Sequence, residues 1–70
     1  MIKEGRIMVW DADSGWGQVM IVEKKENLNY DYYSFSYREV KGRIPPVFSY
    51  VKVTLHDLIG ITCVKELEVA

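Results

Sequence analysis

This sequence predicts an all-β domain, folded as a small five-stranded antiparallel barrel of the OB type. Three observations carry the expectation. Five short runs rich in β-branched and aromatic residues follow one another, with turn residues between them. The chain has 70 residues. A domain that short buries only about 60% of its unfolded surface, so its core is thin. A flat five-stranded sheet would leave one face bare, whereas a closed or nearly closed barrel covers its core and removes exposed edges. The same alternation admits an SH3-like barrel, which stays open as the alternative.

The first run is residues 6–10, Arg-Ile-Met-Val-Trp. Alternation sends Ile7 and Val9 one way and Arg6, Met8 and Trp10 the other. Residues 11–15, Asp-Ala-Asp-Ser-Gly, form a turn, because Asp and Ser bond their own backbone and Gly15 accepts positive φ. The second run, residues 16–22, puts Gly17, Val19 and Ile21 on one face and Trp16, Gln18 and Met20 on the other. Residues 23–29 are polar and charged and read as a loop. The third run, residues 30–35, is Tyr-Asp-Tyr-Tyr-Ser-Phe. Residues 36–47 make the longest connection, where Gly42 and the Pro45-Pro46 pair exclude a regular element. One helical turn fits near residues 37–40. The fourth run, residues 48–55, alternates Val51, Val53 and Leu55 against Lys52 and Thr54. A tight connection starts at His56-Asp57 and ends at Gly60. The fifth run is residues 61–69. Its last six residues also admit a short helical turn.

Composition excludes several function classes. Nine Lys/Arg against ten Asp/Glu give a net charge of −1, so any nucleic-acid site is a local patch and not a global field. One cysteine, Cys63, and one histidine, His56, make neither an intrachain disulfide nor a zinc site. Cys63 reads as a small core residue. No basic stretch followed by an apolar run appears at the N-terminus, and no apolar stretch approaches the ~20 residues of a membrane span. The expectation is a cytoplasmic protein without a membrane partner. Asp11-x-Asp13-x-Gly15 lacks the glycine spacing and closing glutamate of a calcium loop. Gly15-Trp16-Gly17 precedes no helix, so it is no dinucleotide fingerprint. His56 has no nucleophile placed with it. We expect no enzyme, no cofactor and no metal.

The stretch from Gly5 to Val19, with Trp10, then Gly15-Trp16-Gly17, resembles the opening motif of the cold-shock domain, roughly G-x-V-K-W-F-N-x-x-K-G-F-G-F-I. The second motif of that family, roughly D-V-F-V-H-F-S, has a weaker counterpart in residues 30–36. The five-run plan and the long third connection agree with the resemblance, which spans essentially the whole chain. The spacing departs from the family by one residue on each side of Trp10. Gln18 stands where the family has its second glycine-motif aromatic, Ser34 where it has histidine, and Ser14 where it has lysine. Each change removes a stacking ring or a phosphate contact.

Alternation puts Trp10, Trp16, Tyr32 and Phe35 on the outward side of adjacent strands, and Tyr33 inward. The resemblance implies that these four rings stack bases. A basic rim is available from Lys3, Arg6, Arg38, Lys41, Arg43 and Lys52, of which Arg6, Arg38 and Lys52 are the chosen phosphate contacts. The resulting expectation is non-catalytic binding of single-stranded RNA or DNA in a chaperone or regulatory role. Asp11, Asp13 and Asp31 oppose phosphate near that face. The competing reading is a protein–protein interaction module on the same barrel, its lost rings adapted to a protein surface. The chain would be a monomer or a weak homodimer.

Overall fold

A computed structural model describes residues 1–23 and 29–70. The loop expected at residues 23–29 thus lies largely outside the described residues. Five strands, β1 (Ile2–Asp11), β2 (Trp16–Ile21), β3 (Tyr32–Ser36), β4 (Tyr50–Leu58) and β5 (Ile61–Val69), form one antiparallel sheet in the order β3-β2-β1-β4-β5. The sheet curls so that its two edge strands approach each other. Val40, just beyond β3, makes a parallel bridge to Leu67 on β5, and the Lys41 N–H donates to the Leu67 carbonyl at 2.8 Å. No ladder joins β3 to β5 among the described residues, so the barrel is of the partly open OB type. Its first strand sits between the second and the fourth. The SH3-like alternative, which seats the first strand beside the last, is not adopted.

The turn after β1 forms as the sequence dictates. The Gly15 N–H donates to the Asp11 carbonyl at 2.9 Å, and the Asp11 carboxylate accepts the Asp13 N–H at 3.0 Å. The helical turn in the long connection is a single 3₁₀ turn at Tyr37–Glu39. Ser36 starts it. Its Oγ accepts the Arg38 N–H at 3.3 Å, while the Glu39 carboxylate takes the Ser36 N–H at 2.9 Å and the Ser36 hydroxyl at 2.8 Å. This reciprocal cap satisfies the donors where β3 ends and steers the chain toward the Val40 bridge.

The core is Ile7, Val19, Ile21, Phe35, Val51, Val53, Leu55, Val64 and Leu67, with Trp10, Tyr33 and Val40 packed against it. Alternation places most of these correctly, but two β-bulges reverse it locally. In β1, Ile7 faces Val19 and Val9 faces Gln18, so Met8 is the extra residue. The face assignments of Val9 and Trp10 are therefore corrected. Val9 turns out to solvent and Trp10 turns in. In β5, Glu66 faces Thr54 and Val64 faces Leu55, so Lys65 is extra. Val64 takes the buried position, and Cys63, expected in the core, is only half-buried.

Two further expectations are corrected. Phe35 is fully buried, since it shares the parity of inward Tyr33 and not of outward Tyr32. His56 and Asp57 belong to β4, paired with Cys63 and Thr62, and the turn is only Ile59-Gly60. The fifth run is strand over Ile61–Val69 as expected, and the helical turn left open at its end is not adopted, because pairing with β4 satisfies the backbone there.

Gly17 explains how two large rings fit in so small a barrel. It pairs with Trp10 on one side and Phe35 on the other. Those two rings stack at 5.7 Å between centroids and 14° between planes. A Cβ on Gly17 would come within 2.4 Å of the Val9 carbonyl oxygen and about as near the two rings as 2.9 and 3.0 Å. The glycine hence makes room for the stack, which closes one end of the core.

Candidate nucleic-acid interface

The outer face of β3, β2, β1 and β4 is the surface where exposed rings and cations meet. Register assembles it in rows. Tyr32, Met20, Arg6 and Tyr50 lie opposite one another across four strands. Ser34, Gln18 and Val9 form the next row, and Trp16 faces Asp11 in the one beyond. Trp16 and Tyr32 are each about half exposed, at 53% and 54%. The two lie on this face four residues apart along the strand direction, roughly 13 Å.

Four of the seven residues chosen from sequence are thus on or beside this face in usable form. Trp16, Tyr32 and Arg6 share it. Arg38 lies at its end, on the 3₁₀ turn, with its guanidinium 5.7 Å from the Tyr37 ring centre. The Tyr37 N–H donates to the Gly15 carbonyl at 3.0 Å, which anchors this corner next to Trp16. The Tyr37 hydroxyl accepts from Arg38 Nε and holds the guanidinium above its usual pKa. Lys52 also points outward, but it is occupied. Glu68 on β5 takes its ammonium at 2.7 Å and has Lys41 at 3.9 Å as well. That pairing raises the Lys52 pKa and lowers that of Glu68. Trp10 and Phe35 do not reach the face. They hold it up from beneath, through the stack over Gly17.

Sequence reasoning missed the exposed rings of Tyr37, Phe48 and Tyr50. Tyr50 is out because Val51 and Val53 are in, and the alternation that placed those valines would have found it. Tyr37 carries no such signal, for it sits in the connection where no period operates, whereas Phe48, expected at the head of the fourth run, lies ahead of β4, which starts only at Tyr50. Phe48 is unusual. It is 55% exposed with φ of 73°, a conformation that a bulky side chain rarely adopts.

Around Trp16 the surface dips. Val9, Asp11, Ser14, Trp16, Gly17, Gln18 and Ser34 line a shallow depression. Gln18 and Ser34 carry polar, non-aromatic side chains, so the middle of the face offers hydrogen bonds where its ends offer stacking. No group of three or more potential metal-ligating side chains occurs among the described residues, and no helix there is long and apolar enough to cross a membrane.

Comparison with protein-family models, with curated proteins and with solved structures yields no match for this chain.

Proposed function

We propose that this protein binds single-stranded nucleic acid, RNA or DNA, on the outer face of β1, β2 and β3, without catalysis. The observation that carries the reading is the exposure of Trp16 and Tyr32 on that face with Arg6 on the neighbouring strand. Bases stack on such rings, each stack contributing about 1–3 kcal/mol, while a guanidinium meets phosphate. Gln18 and Ser34 meet base edges between the two stacks. The resemblance to cold-shock domains supports the same face and adds the chaperone or regulatory role, exercised in the cytoplasm by trapping unpaired strands. With two exposed rings in the central patch and a net charge of −1, binding is weak and salt-sensitive, with little base preference from stacking.

The test is titration of intrinsic fluorescence with a pyrimidine-rich single strand at low and then moderate salt. Trp16 is the reporter, since Trp10 is packed against the core. Quenching that fades with salt, and that disappears in Trp16→Phe, is the expected result. Trp16→Ala and Tyr32→Ala should each weaken binding about tenfold with the fold retained. Wild-type affinity in both variants would place the site elsewhere.

A protein partner is the second reading. Two features favour it: Asp11 beside Trp16, and the apolar tip of the β4–β5 hairpin, where Leu58, Ile59 and Ile61 are all exposed. No fluorescence change at low salt, with the fold intact, would leave this reading in possession of the surface.

A further inference from the structure

Arg6 differs from Lys3, Lys41 and Lys52. Lys3 is paired with Glu23, and Lys41 and Lys52 share Glu68. Arg6 meets no carboxylate among the described residues. Instead its Nε–H donates to the Phe48 carbonyl at 2.9 Å, and its guanidinium carbon lies 5.3 Å from the Phe48 ring centre and 5.5 Å from that of Tyr50. An arginine has five N–H donors in a planar fork. One is used here, and the four on the terminal nitrogens have no partner among the described residues.

Phe48 is held in its left-handed backbone conformation by a dense local network. Its N–H donates to the Ile7 carbonyl at 2.6 Å, and the Ile7 N–H donates to the Ser49 carbonyl at 3.0 Å. The Ser49 N–H and hydroxyl both reach the Pro46 carbonyl, at 3.1 and 2.5 Å. Glycine would occupy this position without strain. A phenyl ring occupies it, and more than half of that ring's residue is open to solvent. Burial therefore does not account for it. Backbone strain around an exposed side chain points to a role at the surface.

We infer that Arg6, Phe48 and Tyr50 form a second nucleotide subsite, in which the guanidinium fork holds a phosphate and the two rings take an unpaired base. This deepens the reading given above and rests on it. The register supplies the path. Tyr32, Met20, Arg6 and Tyr50 follow one another across three inter-strand gaps, a span of roughly 14 Å. A strand that stacks on Tyr32 and crosses Met20 arrives at Arg6 and then at the two rings. The binding face accordingly includes β4, and a bound strand covers more nucleotides than Trp16 and Tyr32 alone accommodate.

The experiment compares dye-labelled oligothymidylates of about four and eight nucleotides by fluorescence anisotropy, with the full chain and its Phe48→Gly, Tyr50→Ser and Arg6→Gln variants. Wild type should hold the longer strand more tightly. Phe48→Gly and Tyr50→Ser should each weaken the longer strand about five- to tenfold and the shorter one by no more than about twofold. Arg6→Gln should flatten the dependence of log K on log salt by about 0.7, the share of one phosphate on a single strand. Phe48→Gly should melt no lower than wild type, because glycine accepts the backbone conformation. If the ring variants hold the longer strand as wild type does while Trp16→Ala does not, the second subsite is refuted and the primary reading stands. If wild type binds neither strand, both are refuted.

Discussion

The two hairpins at either end of the chain are built alike and end differently. Each pairs two antiparallel strands, and each carries one bulge, at Met8 in β1 and at Lys65 in β5. In the first hairpin the bulge sinks Trp10 onto Phe35 and leaves Trp16 exposed. Its turn is polar and bonds its own backbone through Asp11. In the last hairpin the bulge exchanges Cys63 for Val64 at a core position, and the outer side is closed by the Lys52–Glu68 pair. Its turn is Ile59-Gly60 with both residues at positive φ, 53° and 80°, and Ile59 is fully exposed. The same device therefore serves two ends. In one hairpin it supports a surface that can bind, and in the other it completes the core. A bulge matters less for the residue it adds than for the parity it reverses downstream.

The largest expected effect comes from attacking the stack that distinguishes the first hairpin. Phe35→Ala should cost about 3–5 kcal/mol, close to the whole stability of a domain this small. Gly17→Ala should cost about 2–3 kcal/mol, because the new methyl meets a backbone oxygen that cannot move aside. Urea denaturation of both variants checks these values. Stability within about 0.5 kcal/mol of wild type for Gly17→Ala would mean that the rings do not close over the glycine.

A sharper contrast follows from the two tryptophans. Trp10→Ala should lose about 2–3 kcal/mol of stability, whereas Trp16→Ala should lose under about 1 kcal/mol and instead weaken ligand binding. Equal melting losses would contradict the parity reversal at Met8. In the last hairpin, Ile59→Asn places Asn-Gly in a two-residue turn that wants positive φ twice. It should gain about 1 kcal/mol, read as a raised melting temperature.

The smallest effect concerns pH. Lys52 holds the Glu68 carboxyl below its ordinary value of 4.5 in the folded chain. A folded-state pKa below the unfolded one stabilises above the unfolded value, and the contribution fades as pH falls through the folded value. Both groups are exposed, so the effect is slight. Glu68→Gln should lower stability slightly at neutral pH, converge on wild type in acid, and so flatten the acid side of the stability profile below about pH 4.5. An unchanged acid limb in that variant would show that the pair contributes nothing.

Much of this was legible in the chain. The five strands follow from alternation and from turn residues at 11–15 and in the connection expected at 56–60, of which the turn itself uses only Ile59-Gly60. Val19, Ile21, Val51, Val53 and Leu55 were assigned inward by period two alone, and Trp16 and Tyr32 outward by the same rule. Those properties are local, because a strand's pleat fixes the side of every residue until a bulge intervenes. Tyr50 is legible by the same rule, as the outward neighbour of Val51, and Phe35 shares the inward parity of Tyr33.

What only the tertiary structure decided is where the alternation breaks and which cations remain available. β1 pairs with β4 over Ile2–Arg6 and with β2 over Gly5–Asp11, and no period in β1 itself announces the bulge at Met8. Phe48 adopts its rare backbone conformation because Ile7 and Ser49, far apart in sequence, bond around it. Lys52 is neutralised by Glu68 and Arg6 is left to two rings because cross-strand register, not composition, chooses partners for charges. A net charge near zero gave no hint of either outcome. Local pattern determined the strands and most of their faces, and long-range pairing determined which side chains on those faces are free to bind.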